Sequence, residues 1–265
     1  MARKYSRASI HKTWVVMQAA LKYGIRKGYI RKDFELDEIE RPNENKVAIK
    51  KKNVPFIDQQ DMECLYRELM SPKYGNAAKM LAFIMYSGVR ISEATALTWD
   101  SVAGDYESVR IRSANSRIVE RDEDLNPLKN EDGSVRHKTI VKTPKSEDGY
   151  RTIPLPTRAV EILKYFATFS EDGKGHVFVT ANGTPIASDN ARHCLKRALQ
   201  NSKCKCKDYS PHSLRHGYGS VLISKGVDIK IVSELLGHKD VSFTYNVYIG
   251  ILNEDKIKEV KRVFG

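Results

Sequence analysis

From Ser108 to Pro156 the helical periodicity that governs most of this chain breaks off, and the break confines the fold to a mainly helical α+β type with a small β insert. The runs Val109-Arg110-Ile111, Thr139-Ile140-Val141 and Arg151-Thr152-Ile153-Pro154-Leu155 are β-rich, with turn-formers from Asn130 to Gly133 between them. They predict a small antiparallel sheet carrying a long polar hairpin. Ahead of it, Asp58 is placed to cap a helix bearing Met62, Leu65 and Leu69 that ends before Pro72. A second helix runs through Ala78, Leu81 and Met85 to Gly88, and Ser92 opens a short third through Ala94 and Leu97. Beyond the sheet, helices return. A short strand at Val177-Phe178-Val179 interrupts them, Gly226 and Gly237 punctuate them, and a last helix is expected from about Glu254 to Phe264, with Ile257, Val260 and Phe264 on one face.

The first stretch stands apart. Ile10, Trp14, Met17, Leu21 and Ile25 form a helical stripe ending at Gly28. One amphipathic helix cannot bury its own stripe, so it docks elsewhere or closes a domain whose front lies outside this sequence. The polar stretch Arg41-Pro42-Asn43-Glu44-Asn45 and the basic run Lys50-Lys51-Lys52 lack periodicity and are expected to be a linker. The expected divisions are 1–45, a linker over 46–54, and a main domain over 55–265.

Charge narrows the function. The 45 Lys and Arg against 33 Asp and Glu give a formal excess of +12, which favours a polyanionic partner, nucleic acid first, although solubility alone accounts for such a balance too. No apolar run reaches the ~20 residues of a membrane span, and MARKYSRASIHK lacks the apolar core of a secretory signal. An intracellular protein is expected. Cys64, Cys194, Cys204 and Cys206 are too few and too irregular for a disulfide framework. With no second Cys or His pair at zinc spacing beside them, they are expected to be free thiols.

Attack on a phosphodiester builds negative charge on the equatorial oxygens of a pentavalent phosphorus, which paired guanidiniums match. Arg90, in Ser87-Gly88-Val89-Arg90-Ile91-Ser92-Glu93, sits where one helix ends and another starts. Arg215 follows Pro211-His212-Ser213-Leu214, and His212 shares its helix face at a helix start that favours an anion. Leu235-Leu236-Gly237-His238 comes next, then Tyr245 and Tyr248. A phenol is a nucleophile once cations or a base deal with its proton. Singly, each has an ordinary alternative: a surface arginine, a structural histidine, a half-buried tyrosine.

In order, Ser-Gly-Val-Arg-Ile-Ser-Glu, His-Ser-Leu-Arg-His, Leu-Leu-Gly-His and the tyrosine after it resemble the signature segments of the tyrosine recombinase family, notably the integrases of phages and conjugative transposons, over roughly residues 55 to 265. The resemblance implies a DNA breaking and rejoining fold. Arg90 and Arg215 correspond to its phosphate-binding arginines, and Lys145 to the hairpin lysine that protonates the leaving 5′ oxygen, with Lys142 as rival. His212 corresponds to the histidine that manages the nucleophile's proton, and His238 to a hydrogen bonder for a non-bridging oxygen. Tyr248 corresponds to the nucleophile, favoured over Tyr245 by its spacing from His238. Glu93 matches an acidic position that supports the site.

The same resemblance implies site-specific recombination of double-stranded DNA through a 3′-phosphotyrosyl link, for integration or excision of a mobile element. It implies no cofactor and no metal, no membrane, and a cytoplasmic, nucleoid-associated protein of prokaryotic, phage or mobile-element origin. A tetramer on DNA is expected, monomeric when free, with the last helix docking on its own chain or a neighbour's. Lys50, Lys51, Lys52 and Lys142 are expected to add backbone contacts to DNA. The family usually clamps DNA with a helical core-binding domain, of which residues 1–45 look like the final helix, so the chain is expected to be a fragment or to lack the clamp. The insertion around Glu120 to Arg136 resembles the extended sheets of some transposon integrases, and serves equally as a solvated loop or as a contact. The rival functions are a regulator with an unused site, and a type IB topoisomerase or telomere resolvase.

Overall fold

The computed structural model describes residues 7–31, 57–143, 150–170, 173–205 and 207–248. The chain falls into two compact units, residues 1–53 and 54–265. In the first, α1 (Arg7–Arg26) has the expected stripe, with Ile10, Trp14, Met17, Leu21 and Ile25 half-buried while Val15, Val16 and Tyr23 are exposed. It stops where Gly28 takes a φ of 77° and the N–H groups of Tyr29 and Ile30 fold back to Gly24 O at 2.9 and 3.2 Å.

The second unit is built around one buried helix. The elements are α2 (Gln59–Leu69), α3 (Asn76–Ser87), α4 (Ile91–Ala94), a 3-10 turn (Trp99–Ser101), β1 (Ser108–Ile111), β2 (Ala114–Val119), β3 (His137–Lys142), β4 (Arg151–Pro154), α5 (Thr157–Ala167), α6 (Ser188–Asn201), α7 (Pro211–Ser224) and α8 (Ile229–Leu236), after which residues 241–248 are helical. Asp58 caps α2 as expected, accepting from Asp61 N at 2.7 Å. In α3 every side chain from Met80 to Met85 is buried, the mark of a helix covered on all sides, and α2, α5, α6 and α7 all pack on it. Phe178 stands 5.0 Å from both Phe83 and Phe166, ring centre to ring centre, and joins α3 to α5.

The β region is two antiparallel pairs. β1 and β4 pair Val109 with Ile153 and face the core, while β2 and β3 run from Ala114 opposite Lys142 to Val119 opposite His137 and stand largely in solvent. The expected hairpin insertion is more organised than a loop. Glu120 N–H donates to Arg136 O (3.0 Å), Arg136 N–H to Leu128 O (2.7 Å) and Leu128 N–H to Glu120 O (2.9 Å), a closed ring of backbone bonds from which two tight turns project. In one turn Asp122 Oδ1 accepts from Asn126 N at 2.8 Å; in the other Gly133 takes a φ of 79°.

Two expectations need correction. Val177-Phe178-Val179 is buried but is not a strand: a turn closed by Thr180 N to Thr184 O (2.7 Å) sends the chain back at once, leaving isolated pairings, Val177 N–H to Leu97 O (2.9 Å), Ile186 N–H to Phe178 O (3.0 Å) and the bridge of Val179 to Pro185. The third helix begins at Ile91 and ends at Ala94, because Ala96 N–H reaches back to Glu93 O (3.1 Å) and the chain tightens through Leu97. The linker and the last expected helix lie outside the described residues.

Phe166→Ala empties the space between α3 and the Phe178 ring, and is expected to lower unfolding free energy by about 3–5 kcal/mol. Urea titration checks it; a loss below ~1 kcal/mol, with unchanged slope, would show that this aromatic cluster is not where the core is held together.

Candidate active site

One carboxylate gathers most of the residues singled out in the sequence. Gly88, at a φ of 66°, ends α3 and turns the chain so that Arg90 becomes the residue before α4. Three residues on, Glu93 reaches back, accepting Arg90 N–H at 2.8 Å and Arg90 Nη1 at 2.6 Å. Arg151, at the start of β4, grips the same carboxylate with both terminal nitrogens, at 2.8 and 3.2 Å. Arg215 Nη1 stands 3.9 Å from it. Glu93 is 6% exposed. Burial pushes its carboxyl up, but the hydrogen bonds and charge of Arg151, with Arg90 and Arg215 behind, bring it down to about 2.

The same arginines hold the end of α8. Its last carbonyls have no helical partner and carry the negative end of the helix dipole. Arg151 Nε donates to Leu235 O (2.8 Å), Arg215 Nη2 to Leu236 O, and Arg90 Nη2 to Gly237 O (3.1 Å). Arg215 Nη1 also donates to Gly88 O (2.7 Å), so the buried guanidinium, 1% exposed, ties the end of α3 to that of α8. Gly237 is required twice: its φ is 59°, and a Cβ would lie 2.8 Å from Arg151 Nη1. Burial and the charge of Arg90 lower the Arg215 group to about 9, with Glu93 opposing, which leaves it protonated at neutral pH.

Clamping α8 sets His238 just beyond it. His238 Nδ1 pairs with the buried Thr244 hydroxyl at 2.7 Å and its ring stands edge-on to Phe243 at 5.0 Å, which leaves Nε2 as the nitrogen not engaged by Thr244. Burial, then Arg215 and Arg90, hold the ring down at about 3, so it is neutral. His212 follows Pro211 in the first turn of α7, where Ser210 caps the helix by accepting Ser213 N at 3.2 Å. It too is shifted down, by burial and then by Arg215 and Arg90.

Tyr248 is 2% exposed, seated among Ile223, Val232 and Leu236, whereas Tyr245 is 39% exposed. Burial pushes its phenol up to about 12, against the pull of Arg215. His216 Nδ1 stands 3.4 Å from its oxygen. Arg90, Glu93, His212, Arg215 and His238 are thus brought together, with Tyr248 beside them. Lys142 is exposed at the end of β3; Lys145, Lys50, Lys51 and Lys52 lie outside the described residues.

Arg151, Thr244 and His216 were not singled out in the sequence. For Arg151 a signal existed: it shares a strand face, at a spacing of two, with the buried Ile153, so a charged group points inward and needs a partner there. Thr244 and His216 are placed by tertiary packing alone.

Residues 55–254 match the model of the phage integrase family. A tyrosine recombinase XerC-like protein of Caldanaerobacter subterraneus subsp. tengcongensis is 26% identical over 201 residues, 71% of this chain and 49% of that protein. An integrase of Streptomyces ambofaciens is 29% identical over 181 residues, 62% of this chain and 42% of that one. The chain therefore spans about half the length of the curated relatives it matches. Among solved structures, the Tn1549 transposon integrase in complex with transposon right end DNA aligns with a TM-score of 0.65 at 19% identity, over 92% of this chain and 76% of that one. XerA recombinase aligns with a TM-score of 0.55 at 15% identity, over 77% and 65%. At such identities the likeness is one of fold.

Glu93→Gln keeps the shape but strands two buried guanidiniums without their anion, an expected loss of about 3–5 kcal/mol in stability. The carboxyl titrates near 2 when folded against 4.5 otherwise. A lowered acid contributes stability in full above the unfolded value and loses it as pH falls through the folded one. Denaturant titrations stepped from pH 5 to pH 2 should show the unsubstituted chain falling more steeply than Glu93→Gln, and parallel curves would refute the hub.

Proposed function

The chain belongs to the phage integrase family, and from that we propose that it is a site-specific DNA recombinase of the integrase type, cutting and rejoining duplex DNA through a covalent bond to Tyr248. The observation that carries the proposal is the cluster around Glu93: three guanidiniums share one carboxylate, leaving an excess of positive charge beside two neutral histidines, a receptor for one phosphate diester. Arg90, more than a third exposed, offers its outer edge to a non-bridging oxygen. Arg215 commits one hydrogen from each terminal nitrogen to a carbonyl, and its guanidinium has further donors to give. His238 Nε2 supplies another hydrogen bond.

In this mechanism the phenol oxygen attacks phosphorus in line and its proton passes to His212. The bond from phosphorus to the 5′ oxygen breaks, and Lys145 protonates that oxygen. Because the phosphotyrosyl ester conserves the bond, a 5′ hydroxyl from another strand reverses the step and reseals DNA to a new partner. The wider reading includes integration or excision of a mobile element, a tetramer on two duplexes, and residues 1–45 as the last piece of a DNA-clasping domain joined through 46–54, with Lys50, Lys51, Lys52 and Lys142 as backbone contacts.

A nicked duplex library with a randomised centre lets a cut end escape and traps the covalent product. The chain should yield an adduct whose sequenced ends define the site, Tyr248→Phe should yield none, and an adduct surviving that substitution would sink the assignment. Arg215→Ala should slow cleavage by ~10²–10³-fold with much smaller loss of DNA binding; equal losses would argue against a transition-state role.

A further inference from the structure

We infer that Thr244 is a positioning residue for the cleavage step: its buried hydroxyl fixes His238 as the tautomer that carries its proton on Nε2, an assignment that rests on the recombinase reading. A non-bridging oxygen of a phosphate diester only accepts hydrogen bonds, so an imidazole serves it only by presenting an N–H. His238 is neutral, which gives it one ring proton and two nitrogens to hold it. With that proton on Nδ1, Nε2 would turn a lone pair toward the anion and repel it.

Thr244 decides between the two forms. Its oxygen stands 2.7 Å from His238 Nδ1, its side chain is 0% exposed, and Nδ1 is the hydrogen-bond partner of that hydroxyl among the described residues. If Nδ1 kept the proton and donated it, the hydroxyl's own hydrogen would be buried without an acceptor among those residues, at a cost of about 1–3 kcal/mol. With the hydroxyl donating instead, its hydrogen and the Nδ1 lone pair satisfy each other and the ring proton goes to Nε2. Phe243 stands edge-on to the same ring at 5.0 Å and 89°, so neighbours in sequence hold it by packing and by hydrogen bond.

The hydroxyl that sets the histidine sits on the element that bears the nucleophile. Residues 241–248 are helical, and Thr244 and Tyr248, four apart, share a face. Both are buried, the Tyr248 ring among Ile223, Val232 and Leu236. The packing that seats the phenol therefore seats the hydroxyl as well, and one segment carries both the attacking group and the group that orients a hydrogen-bond donor for the phosphate.

Nitrogen-15 NMR of the histidine rings in the unsubstituted chain should show His238 with a protonated Nε2 and an unprotonated Nδ1 at neutral pH. Thr244→Val, which keeps the branched shape and removes the hydroxyl, should turn this into a mixture of both forms. A protonated Nδ1 in the unsubstituted chain, or a signature that Thr244→Val leaves unchanged, overturns the assignment. On the nicked library at saturating DNA, Thr244→Val should form the adduct ~10–10²-fold more slowly with binding little changed, and Thr244→Ser, which restores the hydroxyl, should recover most of the rate. In a His238→Ala background the same Thr244→Val change should cost less than ~2-fold. A full second loss there, or a serine variant as slow as the valine one, means that the hydroxyl only helps to hold the fold, and overturns the positioning role while the recombinase reading stands. No adduct from the unsubstituted chain on any library member sinks that reading and the Thr244 role with it.

Discussion

Three guanidiniums cannot sit together in a protein interior unless something negative sits with them, and here Glu93 and the end of one helix do that work. The carboxylate takes Arg90 and Arg151 directly and stands near Arg215. Carbonyls of Leu235, Leu236 and Gly237 then take one arginine each. These are the groups that a helix leaves unsatisfied at its C-terminal end, so one set of bonds both completes α8 and fixes the arginines. Burying charge in this way is weak evidence for extra stability, because desolvation consumes most of the attraction. Its value lies in geometry: donors aimed in advance need not reorganise when an anion arrives.

The rest of the site follows from that arrangement. The αL turn at Gly237, bare of a Cβ, lets the Arg151 side chain lie against it, and His238 follows directly after the turn. Burial, and then positive neighbours, keep His212, His216 and His238 neutral, so positive charge resides on the arginines and the imidazoles remain available as hydrogen-bonding and proton-accepting groups. Tyr248 is protonated in its apolar seat for the same reason that a buried carboxylic acid is. A bound phosphate diester would offset part of the positive field and make protonation of each ring easier.

Most of the fold was legible in the sequence because its signals are local. The Asp58 cap, the glycine stops at Gly28, Gly88 and Gly237, and the stripe on α1 each need only neighbours in the chain to be read. The misreadings arose where distant segments decide. Val177-Phe178-Val179 has a strand's composition, but the turn after it leaves it isolated backbone bonds to Leu97, Pro185 and Ile186 in place of a ladder, and Arg151 has the composition of a strand residue while its carboxylate partner lies 58 positions earlier. The site residues were legible as an ordered series of short motifs. The bonds among them were not: Thr244 pairs with His238 and His216 with Tyr248 only because the last helical segment folds back across α7 and α8.

The ring of backbone bonds among Glu120, Leu128 and Arg136 closes each of the two turns beyond it upon itself. A residue inserted into either lobe is absorbed by that lobe, since neither the other one nor the register of Val119 opposite His137 depends on its length. The tip can therefore be lengthened, trimmed or recut in sequence without retuning the strands that bear it, much as a tool head is exchanged on a fixed handle.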